Sequence, residues 1–178
     1  MKLIYGEHSS GKSSKALELI KDKDRVFYLS LDQDRSLSDL LSKSFPNATY
    51  SHIKNCFLID LEFAIIGRIG KPMYDTVVID SLNFIKVADD VNHEFNLKHI
   101  VKGLEYLHYT YNVDIIATFN ILRNIDSMKG DVESVFIDRS GWELIETKKR
   151  KKDNKSKVLK ITTKDGTIEL PRSSMSLF

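Results

Sequence analysis

Gly6-Glu7-His8-Ser9-Ser10-Gly11-Lys12-Ser13 spells G-x-x-x-x-G-K-S directly after the apolar run Leu3-Ile4-Tyr5. This is the pattern of a Walker A phosphate-binding loop. Its glycines let the backbone curl until successive N–H groups point inward at the β- and γ-phosphates of a nucleotide, and a helix opening there adds the positive end of its dipole. In such a loop Lys12 neutralises phosphate charge and Ser13 holds Mg²⁺. The expected nucleotide-binding stretch is therefore Gly6, Glu7, His8, Ser9, Ser10, Gly11, Lys12, Ser13 and Ser14, with His8 pointing outward and given no chemistry of its own.

The flanks agree with the motif. Lys2 to Tyr5 reads as an edge strand or the start of a buried one, and Ser13 to Lys21 places Ala16, Leu19 and Ile20 at helical spacing. Strand, loop and helix follow in the order that a phosphate loop requires.

Bulk composition limits the alternatives. A chain of 178 residues with 42% apolar content buries one sizeable core and is short for two ordinary domains, so 1–178 is read as one domain. Its apolar stretches are short and interrupted, and Met1-Lys2-Leu3 already leads into structure, so neither a membrane span nor a signal peptide is expected. The expectation is a cytoplasmic protein. Cys56 is the single cysteine, which excludes an internal disulfide and a cysteine zinc site, and its neighbours Phe57 and Leu58 predict a buried thiol.

The net charge of +2 hides an asymmetry. From Lys148 to Lys160 eight basic residues (Lys148, Lys149, Arg150, Lys151, Lys152, Lys155, Lys157, Lys160) stand against Asp153 alone, a local +7 that leaves −5 for the remainder. A basic tract on a mildly acidic body fits a polyanionic partner such as nucleic acid, although solvated charge runs also occur without one.

Further along, Arg25 to Leu31 is a β-rich run ending in Asp32-Gln33-Asp34-Arg35, and Ser36 or Ser38 caps a short helix that stops before Pro46. A weaker strand covers Tyr50 to Ile53, and Leu58 to Ile69 is apolar at helical spacing until Gly70 and Pro72. Thr76-Val77-Val78-Ile79-Asp80 lacks alternation, the mark of a strand covered on both faces. Asn92 caps a long helix with Leu97, Ile100, Val101, Leu104, Leu107 and Tyr111 on one stripe, and a buried strand from Val113 to Thr118 follows. Alternating strands and helices through residue 120 predict an α/β core with an open, mostly parallel sheet. Residues 121–141 read as a long functional loop, and 142–178 as an antiparallel β extension with a basic loop at 148–157.

Chemistry-bearing residues cluster at strand ends. Asp80 ends an apolar strand as a Walker B acid does, where it would orient Mg²⁺ together with Ser13. Asp32, or Asp34 beside it, is the candidate to position or deprotonate an attacking water. Asn120 ends another strand, where its amide could read the γ-phosphate. Arg123, Arg139 and the tract Lys148 to Lys152 are available for phosphate or nucleic-acid contacts. Tyr106, His108, Tyr109 and Tyr111 are suited to base stacking, yet they share a helix with the apolar stripe and are read first as packing residues.

With these residues placed, the chain resembles the RecA-like P-loop ATPase superfamily, most closely the branch of RecA-type recombinases, KaiC-like proteins and DnaB-type helicases. The loop Gly6 to Ser13 looks like its Walker A. Phe27-Tyr28-Leu29-Ser30-Leu31-Asp32 looks like its second strand with Asp32 in place of a catalytic Glu, and Val77-Val78-Ile79-Asp80-Ser81 looks like its Walker B. Ile116-Ala117-Thr118-Phe119-Asn120 resembles the sensor strand, with Asn in place of Gln. The resemblance implies ATP and Mg²⁺ as ligands, Asp32, Lys12 and Asn120 as the catalytic set, and hydrolysis slowed by two shortened side chains. It also implies single-stranded DNA as partner in recombination, repair or replication, met by loops at Asn83 to Asp90 and Ile121 to Asp138, where Lys86, Arg123 and Lys129 supply charge. The basic tract resembles the segment through which a neighbouring subunit contacts nucleotide, so a homo-oligomer is an expected partner. Only five residues precede the loop, so a filament built through an N-terminal segment is not expected; the compact size suits a minimal recombination accessory of the kind bacteriophages encode. Two other readings stay open: a P-loop kinase for nucleosides or other small molecules, and a nucleotide-sensing switch module with little hydrolysis.

Overall fold

A computed structural model describes residues 1–31, 44–53, 56–67, 72–86, 93–121, 132, 134–136, 139–148, 158–163 and 166–171. Six strands form one sheet: β1 (Lys2–Glu7), β2 (Val26–Ser30), β3 (Ala48–His52), β5 (Thr76–Asp80), β7 (Asp114–Ile121) and β8 (Glu143–Thr147), in the order β3-β2-β5-β7-β1-β8. Every pairing in it is parallel. A second, two-stranded parallel sheet joins β4 (Cys56–Phe57) to β6 (Ile85–Lys86), and β9 (Val158–Thr163) pairs antiparallel with β10 (Gly166–Pro171).

Helices cover both faces of the main sheet, as unalternating strands such as Thr76–Asp80 require. On one face α1 (Lys12–Ile20) lays Ala16, Leu17 and Ile20 against Ile4, Val26, Tyr28, Val78 and Ile116. On the other, α2 (Leu58–Ile66) and α3 (His93–Tyr111) bring Leu61, Ile65, Leu97, Ile100, Val101, Leu104 and Leu107 onto Leu3, Leu29, Val77, Ile79, Ile115 and Ala117. Tyr111 ties α3 to α2 by donating to Glu62 Oε1 at 2.6 Å. None of the described helices is long and apolar enough to cross a membrane.

The helix expected from Leu58 to Ile69 ends three residues early, at Ile66. Gly67 terminates it, donating its N–H to the Phe63 carbonyl. At its start the Asp60 carboxylate accepts the Phe57 N–H at 2.8 Å, as a third-position acid does in a capping box.

The expected antiparallel meander is corrected in its first strand. Glu143–Thr147 does not pair with the segment that follows it; it runs parallel to β1 at the edge of the main sheet, with Leu3 opposite Leu144 and Gly6 opposite Thr147. Only β9 and β10 are antiparallel. The reason is topological. A strand returning parallel needs a crossover of a dozen residues or more, and the interval between Ile121 and Glu143 provides it, while β1 would otherwise expose an unpaired edge. β1 is in consequence an interior strand between β7 and β8.

Most of residues 121–141 lies outside the described residues, but Val132, Val135 and Phe136 are buried in the core. Trp142 stacks edge-on against Phe136 with ring centroids 5.1 Å apart and donates Nε1–H to Glu105 of α3 at 3.1 Å. Arg139 pairs with the same Glu105, so one carboxylate on α3 anchors the approach to β8. The short helix expected around Ser36 to Leu41 and the Asn92 cap lie outside the described residues.

Candidate functional site

The phosphate-loop residues lie where β1 hands over to α1, at the C-terminal edge of the sheet, where open parallel α/β sheets place their ligands. Two positions show why glycine stands there. A Cβ on Gly6 would fall 2.2 Å from the Thr147 carbonyl oxygen and 2.7 Å from its Oγ1, so β8 approaches β1 too closely for any side chain. Gly11 has open space around it but holds φ at +92°, a left-handed conformation that strains other residues. Ser9 is also left-handed, at φ 60°. Gly11 supplies no side-chain cap to α1, so the first N–H groups of the helix face the loop.

Lys12 is 6% exposed. Its ammonium is turned into the loop, donating to the carbonyls of Gly6 at 3.2 Å and Glu7 at 2.6 Å, with Ser10 Oγ at 3.4 Å. The loop thus curls around a single buried cation. Ser10 Oγ lies 2.6 Å from Thr147 Oγ1, which donates in turn to the Tyr5 carbonyl or to Ser10. Thr147 braces the loop from β8, a role that the antiparallel reading of its strand concealed. His8 and Ser9 are exposed, while Glu7, Ser13 and Ser14 are half-buried.

The sheet register assembles the opposite wall. Side chains at Tyr28, Ser30, Asp80, Thr118 and Asn120 share the α1 face because they sit at matched positions on adjacent strands: Ser30 pairs with Asp80, Ile79 with Ala117, and Asn120 with Gly6. Asp80 receives hydrogen bonds on both carboxylate oxygens, from Thr118 Oγ1 on Oδ1 at 2.5 Å and from the Tyr28 hydroxyl on Oδ2 at 2.7 Å. Burial raises the Tyr28 pKa well above the ordinary phenol value, and the Asp80 charge raises it further, so this hydroxyl is a neutral donor throughout the physiological range. Of the two residues assigned to metal, Asp80 ends β5 and is held by the Tyr28 hydroxyl, and Ser13 lies in the first turn of α1, which packs on the same face of the sheet.

Asn120 stands one strand from the phosphate loop, since β7 separates β1 from β5. Asn83 fixes it. The Asn83 amide accepts from Asn120 N–H at 2.6 Å and donates to the Asn120 carbonyl at 2.9 Å, extending the sheet by a side chain. Asn83 is itself held by Ser81, whose hydroxyl donates to Oδ1 at 2.6 Å. The chain leaving Asp80 is thereby latched to the end of β7. The sequence placed Asn83 only in a loop; an Asn three residues after a strand-terminal acid carries no signal of this pairing.

Asp32 and Asp34 lie outside the described residues, as do Arg123, Lys129, Lys149, Arg150, Lys151 and Lys152. Lys86 is on β6, in register with Phe57. Lys148 is exposed directly after β8, with Nζ 3.6 Å from Glu146 Oε2, and it leaves the sheet at the edge where the phosphate loop sits. Arg139 is committed to Glu105 and to the Val135 carbonyl, a structural role. Tyr106 and Tyr109 are exposed on α3, whereas Tyr111 bonds Glu62.

The donor set suits a hard cation. A serine hydroxyl and a strand-terminal carboxylate are oxygen ligands, and among the described residues no group of three or more His, Cys, Asp or Glu forms a metal cage. Such a sparse set fits Mg²⁺ completed by water and phosphate oxygens better than a cation held by protein alone. Neither protein-family models nor curated proteins give a match to this chain.

Proposed function

We propose that this chain is a RecA-like P-loop protein that binds ATP with Mg²⁺ in the loop Gly6 to Ser13, hydrolyses it, and engages single-stranded DNA in recombination, repair or replication. The observation that carries the nucleotide half is the convergence of the buried Lys12, the uncapped start of α1, and the Tyr28–Asp80–Thr118 group on one edge of a parallel sheet. In this reading the loop N–H groups and Lys12 hold the β- and γ-phosphates. Ser13 and Asp80 hold the metal, which when bound withdraws charge from the phosphate oxygens. Asn120, placed beside Gly6 and latched to Asn83, senses the γ-phosphate and passes its state to the loops after β5 and β7. Asp32 positions the water, from the stretch that leaves β2 next to β5. The DNA half is supported by the tract of eight basic residues that begins at Lys148, because β8 ends at Thr147 opposite Gly6 and so brings Lys148 to that edge of the sheet.

Binding of a fluorescent ATP analogue, followed by an ATPase assay with and without single-stranded DNA, tests both halves. Lys12→Ala is expected to weaken nucleotide binding at least tenfold, the cost of a lost charge-assisted contact. DNA should stimulate turnover, with an affinity that falls steeply as salt rises. Wild-type nucleotide affinity in Lys12→Ala refutes the first half; absence of both stimulation and salt-sensitive DNA binding refutes the second.

A further inference from the structure

We infer that Tyr28 is a positioning residue for the metal: its phenol holds Asp80 from β2, opposite Thr118 on β7, and so orients the carboxylate toward the cation. This rests on the reading of Ser13 and Asp80 as metal-holding residues. The argument is one of donor and acceptor counting. An ionised carboxylate only accepts, and a phenol has one proton, so the 2.7 Å bond to Asp80 Oδ2 consumes the Tyr28 proton.

Asp80 is held from both flanking strands, by Tyr28 on β2 and Thr118 on β7, which removes its freedom to rotate. Each carboxylate oxygen keeps one further lone-pair direction for a metal-bound water, since a carboxylate offers about four acceptor sites in all. Tyr28 itself is 4% exposed and fixed by stacking on Tyr50, with ring centroids 5.9 Å apart. A buried hydroxyl whose bond runs to the acid of β5 has no packing reason to be there. Phenylalanine would fill the same volume.

The experiment is Mg²⁺ titration of fluorescent ATP-analogue binding to the full chain, with a parallel series in EDTA, for wild type, Tyr28→Phe and Tyr28→Met, and Lys12→Ala as reference. Loss of the hydroxyl is expected to raise the Mg²⁺ concentration for half-maximal enhancement about tenfold, while metal-free binding changes less than twofold. Tyr28→Met, equally without a hydroxyl, should behave alike and serves if the phenylalanine variant is poorly folded by circular dichroism. An unchanged Mg²⁺ curve in a folded variant overturns the proposal, as does equal weakening with and without metal. If Lys12→Ala loses nucleotide while the Tyr28 variants keep the wild-type Mg²⁺ curve, only the role of Tyr28 falls; if Lys12→Ala binds as wild type does, the phosphate-loop reading falls and takes this role with it.

Discussion

Lys12 and Cys56 show how burial sets what a single residue can do. Lys12 is buried as a charge and so must be surrounded by oxygens, and the loop supplies the carbonyls of Gly6 and Glu7. Cys56 is buried, and burial disfavours its anion. Burial pushes its thiol up to about 11 from an ordinary 9.0, with the Asp60 carboxylate adding to the effect. At pH 8 the thiolate is then about one molecule in a thousand, roughly a hundredfold below an ordinary thiol. A colourimetric disulfide reagent should accordingly label Cys56 in the native chain about a hundred times more slowly than in urea. The linked stability has a definite sign: because the folded pKa is raised, the contribution is complete below about pH 9 and is lost as pH climbs toward 11.

Among the elements, β8 has the largest effect on the site. It closes the exposed edge of β1, carries Thr147 against Ser10, and brings Lys148 to the loop edge of the sheet. Its contact with Gly6 makes the two loop glycines behave differently on substitution. Gly6→Ala forces a Cβ into the Thr147 carbonyl and should destabilise the fold by about 1–3 kcal/mol, with amide exchange accelerated in β8. Gly11→Ala meets no atom and carries only the left-handed strain, about 1–2 kcal/mol, leaving β8 protected. Urea denaturation together with hydrogen exchange separates the two cases. Equal acceleration of β8 exchange in both variants would refute the close-approach account.

At the scale of the whole molecule, two layers of helix on a fully parallel sheet make the central strands the main store of stability. Ile79 is fully buried between β2 and β7 and touches the larger of the two cores. Ile79→Ala should cost about 2–5 kcal/mol, measurable as a lowered urea midpoint with unchanged slope, whereas Ile59→Ala on the 60% exposed face of α2 should stay within about 0.5 kcal/mol. Much of this architecture was legible in the chain. Unalternating β-branched runs such as Thr76 to Ile79 announce two-sided burial, and the spacing of Leu97 to Leu107 announces α3, because local periodicity reports which faces are covered. The partner of each strand is not a local property. Leu144 and Ile145 look alike in a meander and in a parallel edge; the free edge of β1 and the length of the crossover decide between them.

The sequence by itself determined the strand, glycine-bounded loop and helix from Lys2 to Ile20, the parallel α/β class, and the acid at the end of Thr76–Asp80, because glycine conformation, helical spacing and buried β-branched runs are written in neighbouring residues. Only the tertiary structure decided that Thr147 braces the loop, that Asn83 latches Asn120, and that Tyr28 and Thr118 hold Asp80. Those contacts join residues dozens of positions apart, and strand order and register, which arise from packing the whole sheet, are what bring them within hydrogen-bond reach.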